Sequence, residues 1–136
     1  MVKKFTILLY AAVITTLIAG ILHINKFIDF ISNDEQNGNA DILFLIGGAA
    51  PVFWLVPIIR QRGKIWYSIG ITGTTPSILF WVITRILENS ITGRAGPISE
   101  EALTIQLFQI AFIILSGIIL VKSSKVKNSY LIYRYT

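Results

Sequence analysis

The chain has 136 residues, of which 54% are hydrophobic and 14% charged, and a formal net charge of +5. Soluble domains carry about 25% charged residues, so the composition argues against one, and the length admits a single domain over residues 1–136. Cysteine is absent, which excludes disulfides, thiolate metal sites and thiol chemistry.

Four apolar stretches, roughly 5–22, 42–59, 65–87 and 102–121, predict four helices. Each supplies about the 20 apolar residues that a hydrocarbon core of about 30 Å requires, with no ionised side chain in its central turns. The expected fold is all-α, an integral membrane four-helix bundle of up-down topology. A transmembrane barrel is excluded, because its strands alternate over about 10 residues and runs such as Ile110-Ala111-Phe112-Ile113-Ile114-Leu115 do not.

The first stretch follows Lys3-Lys4, a basic start of the kind a secretory signal has. Its length, and the lack of an A-x-A-like site around Ala19-Gly20-Ile21, point to an uncleaved anchor. Beyond it, Ile24, Phe27, Ile28 and Ile31 share one helical face, so residues 24–31 either continue the first helix or lie along the interface. Residues 32–39 are turn and loop chemistry.

The second stretch opens after Asp41 and runs through Gly47-Gly48-Ala49-Ala50-Pro51 toward Trp54 and Pro57. The third carries Gly70, Gly73, Thr74 and Ser77 at spacings of three and four, on one face. In lipid the hydrophobic effect does not hold helices together, and small residues permit close backbone approach instead. The two faces are therefore expected to meet each other or a partner helix. The alternative is a polar substrate slot of Thr72, Thr74, Thr75 and Ser77 around the kink expected at Pro76. Ser and Thr in a span, however, ordinarily bond back to the preceding turn and refill the gap that proline leaves.

Gly93, Gly96 and Pro97 demand irregular backbone before the fourth stretch, and Ser99-Glu100-Glu101-Ala102 reads as a helix start with acids in its first turn. Gln106 and Gln109 then share a face, with Ser116-Gly117 further on. An amide in hydrocarbon needs a partner, so both are expected to bond between helices, a ligand contact being the alternative.

The charges sort by alternate connecting segment. Lys3, Lys4, Arg60, Arg62, Lys64, Lys122, Lys125, Lys127 and Arg134 fall on one side. All seven acids, Asp29, Asp34, Glu35, Asp41, Glu88, Glu100 and Glu101, fall on the other, with only Lys26, Arg85 and Arg94 among them. Short cytoplasmic loops accumulate Lys and Arg, so both termini are expected on the cytoplasmic side of the cell membrane. The pI near 9.7 then reflects topology and an affinity for anionic lipid headgroups at the inner surface, with no nucleic-acid partner expected. Trp66 and Tyr67, with Tyr130, Tyr133 and Tyr135 in the tail, suit the headgroup level, and the short basic tail is expected on the membrane or on a partner.

Residues for chemistry are sparse. There is one histidine, His23, and the carboxylates nearest it in sequence, Asp29, Asp34 and Asp41, have no ligand spacing. No cofactor or metal site of this chain's own is expected; His23 either hydrogen-bonds at the interface or lends one ligand to a site shared with another subunit. No G-x-S-x-G, H-E-x-x-H or P-loop pattern occurs. Ion-coupled transport places ionisable groups at mid-depth, and none stands there. Arg85 lies about one turn from the end of the third stretch, where Glu88, Glu100 or Glu101 is expected to pair with it and tie the third helix to the fourth.

The segments Gly20-Ile21-Leu22-His23 and Trp81-Val82-Ile83-Thr84-Arg85, followed by Gly93-Arg94-Ala95-Gly96-Pro97 and the acidic helix start, resemble a widespread group of small four-helix membrane proteins. The pattern prescribes no activity. In its isoleucine-rich composition and its size the chain also resembles the small accessory membrane subunits of archaeal ammonia monooxygenase. That resemblance implies helices packed at the edge of a copper enzyme whose catalytic ligands lie in other subunits. Two functions are thus expected of this sequence. The first is a non-catalytic accessory subunit bound to other integral membrane subunits. The second is a small transporter or channel for an uncharged solute, lined by the Thr/Ser face and by Gln106 and Gln109.

Overall fold

A computed structural model describes residues 2–32, 38–86 and 98–133. They form an all-α four-helix bundle of α1 (Val2–Ser32), α2 (Gly38–Ile59), α3 (Ile65–Ile86) and α4 (Glu100–Tyr133). The helices make a ring, in which α1 and α3 each pack on both α2 and α4.

Two helices outrun their apolar stretches. Residues 24–31 continue α1, and α4 remains helical past Lys122 to Tyr133. At 1.5 Å per residue, α1 and α4 are about 46 and 51 Å long, against about 33 Å for α2 and α3. Among the described residues, Phe5–Asp29 and Glu100–Ser123 are long and apolar enough to cross a membrane, and Phe44–Ile59 is apolar but shorter. The third helix, expected to match them, is diluted by Thr72, Gly73, Thr74, Thr75 and Ser77.

The ends of the helices follow from local chemistry. Ser99 caps α4, its hydroxyl accepting from the Ala102 N–H at 3.2 Å and its carbonyl from the Leu103 N–H at 3.1 Å. Glu100 and Glu101 then sit in the first turn, where the helix dipole favours them. The α2 terminus closes as a Schellman motif: the Arg62 N–H reaches the Pro57 carbonyl and the Gln61 N–H the Ile58 carbonyl, both at 3.0 Å. Gln61 takes the left-handed position, φ 50°, usually given to glycine, and Gly63 follows at φ 113°. Both α2 and α3 continue through their internal prolines, Pro51, Pro57 and Pro76.

The core centres on Trp54, which α2 delivers to the other three helices at once. Its ring lies against Gly70 and Gly73 of α3, where added β-carbons would stand 3.2 and 2.9 Å from the indole. It stacks on Phe112 of α4, with centroids 6.4 Å apart and 20° between planes. Its N–H donates to Thr16 of α1 at 3.2 Å. Leu9, Ala12, Val13, Ile58, Tyr67 and Ile119 complete the buried cluster. Between α1 and α2 the backbones come near each other, and a β-carbon on Gly20 would meet the Gly48 carbonyl at 3.2 Å. The two small-residue faces therefore do not meet each other. The Gly47-Gly48 face receives α1, and the Gly70-Gly73 face receives the rings of Phe112 and Trp54.

Outside the core the surface is apolar on every helix. Exposed side chains include Ile7, Ile14 and Ile21 on α1, Ile46 and Phe53 on α2, Leu79 and Ile83 on α3, and Leu107, Ile114 and Val121 on α4.

Candidate functional site

The polar side chains gather inside the bundle and at the end where α1 finishes and α4 begins. His23 is buried there, its Nδ1 2.8 Å from the Ala19 carbonyl one turn back on α1. A carbonyl only accepts, so Nδ1 carries the proton and Nε2 is left as the lone-pair nitrogen. The ring lies against Gly47, where a β-carbon would come within 2.6 Å of it, and its centroid is 6.0 Å from that of Phe44. Imidazole, Gly47 and Phe44 thus interlock α1 with α2. Among the described residues no three His, Asp or Glu side chains converge, so His23 offers a single donor.

One turn further along α1, Lys26 pairs with Glu101 of α4 and lies 3.9 Å from Asp29. Of the acids expected to pair with Arg85, Glu101 is held by Lys26, and Glu88 lies outside the described residues. Because α1 stays helical beyond its apolar stretch, it carries Lys26 to the start of α4, and Glu101 is taken from that side. Arg85 is half-buried, and its Nε has no hydrogen-bond partner among the described residues. Glu100 is exposed, and its carbonyl accepts from the Thr104 hydroxyl at 2.8 Å. Asp34, Glu35, Glu88 and residues 93–97 lie outside the described residues, and the side chain of Asp41 is not described.

Gln106 and Gln109 are both buried on the inward face of α4. Gln109 donates from Nε2 to the Ser77 hydroxyl of α3 at 3.3 Å, while the Oε1 atoms of both glutamines and the Ser116 hydroxyl have no partner among the described residues. The four residues of the alternative polar slot do not form one lining. Thr74 is buried, Thr72 is exposed on the exterior, and Thr75 bonds back to the Ile71 carbonyl at 2.8 Å. Ser77 alone of them joins the glutamines.

Sequence reasoning missed the centrality of Trp54 and its bond to Thr16. The available signal was a tryptophan more than one turn inside an apolar helix, away from the headgroup level where such residues gather. It also missed Lys26, the only cation beside the acids of the first acidic segment. A further feature is a cavity of about 190 Å³ in the seam between α1 and α2, lined by Leu17, Gly20, Ile24, Gly48, Pro51 and their neighbours. Its walls are almost wholly apolar, so it holds no group for chemistry.

The arrangement defines a class, an α-helical bundle with an apolar exterior, a partly polar interior and no convergent catalytic set among its described residues. Compared with known protein families, curated proteins and solved structures, the chain matches none.

Proposed function

We propose that the chain is an integral membrane protein, a bundle of up-down order with both termini on the cytoplasmic side, serving as a non-catalytic accessory subunit of a larger membrane complex. The observation that carries this reading is the apolar exterior of the bundle. Isoleucine, leucine and valine face outward on all four helices, while Thr16, His23, Thr74, Gln106, Gln109 and Ser116 lie inside beside the hydrophobic core. In water so extensive an apolar surface is an aggregation hazard; in lipid it is the ordinary exterior. Only 33% of each crossing-length window is buried, whereas a core helix of a soluble protein is mostly buried.

The accessory role is supported by what the interior holds. Phe112, 0% exposed and stacked on Trp54, fills the bundle between Gln109 and Ser116. A solute path lined by the glutamines and Ser77 would have to displace both rings, which weighs against the transport reading. The partner is another integral membrane chain, and the resemblance of the sequence makes a copper-dependent ammonia monooxygenase the first complex to look for.

The test is the mass of the native particle after mild detergent extraction, with its components identified by mass spectrometry. A particle much heavier than the 15.2 kDa chain, containing other membrane subunits, is expected. A monodisperse, partner-free monomer would sink the proposal, and solute flux into vesicles of the pure chain above that of empty vesicles would favour transport.

A further inference from the structure

We propose that the turn between α2 and α3 seats one anionic phospholipid, with Arg60 and Arg62 on its phosphate and the apolar flank below them holding its acyl chain. The proposal rests on the membrane reading above and adds a ligand to it. Residues 59–65 are all exposed, and Arg60, Arg62 and Lys64 occupy alternate positions among them. Among the described residues neither arginine has a carboxylate partner, and the ion pairs of Lys26 with Asp29 and Glu101 stand at the opposite end of the bundle.

The turn is built rather than loose. The Schellman closure holds the backbone N–H groups of Gln61 and Arg62 on α2, and the Tyr67 N–H bonds back to the Lys64 carbonyl at 3.1 Å, so the cationic positions are set by helix ends. Below them Phe53 of α2 and Trp66 of α3 meet edge to face, with centroids 5.6 Å apart at 66°. Phe53, Val56, Ile59 and Ile65, within and beside this contact in sequence, are all exposed. Guanidinium forks match phosphate oxygens in pairs, and an aromatic and aliphatic surface beneath them matches hydrocarbon. An acidic protein segment would satisfy the cations and leave that flank uncovered, so the phospholipid is the better fit.

Each basic residue near an anionic leaflet contributes about a fivefold preference, so removing both arginines is expected to cost about tenfold after partial compensation by Lys64. The measurement is native mass spectrometry of the delipidated chain in detergent, titrated with phosphatidylglycerol or with phosphatidylcholine of the same chain length. The wild type is expected to retain phosphatidylglycerol preferentially. R60Q/R62Q is expected to lose about tenfold of that preference with unchanged helix content by circular dichroism, and K122Q, which also removes an exposed cation, to keep it within about twofold. A wild type without preference, or a K122Q variant that loses as much per charge removed as R60Q/R62Q, overturns the lipid seat alone. A chain that stays dispersed without detergent overturns the membrane reading and the seat together.

Discussion

Trp54 touches all three other helices, and its two kinds of contact differ in size. Its ring packs on Gly70, Gly73 and Phe112, whereas its N–H makes one bond to Thr16. Truncating a buried aromatic leaves a cavity and costs about 3 kcal/mol, while hydrogen bonds between membrane helices average about 0.6 kcal/mol. Trp54→Ala is therefore expected to lower the unfolding free energy in detergent several times more than Thr16→Val, and comparable losses would mean that the hydrogen bond, not the ring, organises the core. Gln106 poses the opposite case, because its Oε1 is buried without a partner among the described residues. Replacing an unsatisfied buried polar group with an apolar one of similar shape is neutral or stabilising by about 1 kcal/mol. Gln106→Met should hold or raise the melting temperature, whereas Gln109→Met, which breaks the bond to Ser77, should lower it. A melting temperature that falls equally in both would assign Gln106 a structural bond.

Among the helices, α1 is the organiser. It crosses α2 where Gly20 and Gly48 bring the two backbones together, interlocks His23 with Gly47, and reaches α4 through Lys26. The ion pair adds little stability, since the Glu101 side chain is 60% exposed and pairs of that kind contribute about 0–1 kcal/mol. The glycine crossing matters more. A β-carbon on Gly48 would stand 2.5 Å from the end of Ile24, which can move, and 3.1 Å from the Gly20 carbonyl, which cannot. Gly48→Ile is thus expected to cost about 1–3 kcal/mol by forcing α1 from α2. Thermal unfolding in detergent measures it, and an unchanged midpoint would show that the two helices can separate without loss.

For the molecule as a whole, the charge split predicts one orientation of the proposed membrane bundle. The chain has no cysteine, so single introduced cysteines report topology without background. With Gln61→Cys in the basic turn and Ser32→Cys at the acidic end, a membrane-impermeant maleimide is expected to label Ser32→Cys in intact cells and Gln61→Cys only after the membrane is opened. The reverse pattern would invert the bundle, and equal labelling of both before opening would deny the spans.

Much of this was legible in the residues themselves, because helix length, apolar runs and caps are local properties. The four elements, the Ser99 cap and the inward direction of Gln106 and Gln109 follow from spacing along one chain. Pairing between helices is not local, and there the sequence left alternatives that the fold resolves. The glycine faces of α2 and α3 were expected to meet each other or a partner helix; the first takes α1 and the second takes the rings of Trp54 and Phe112, because a small-residue face accepts either a backbone or a large ring and its own sequence does not say which. The meeting of Lys26 with Glu101 was equally hidden, because it depends on α1 continuing past its apolar stretch to Ser32. Composition and periodicity decided that there are four helices with apolar surfaces; only their packing decided that Trp54 is the residue on which all four converge.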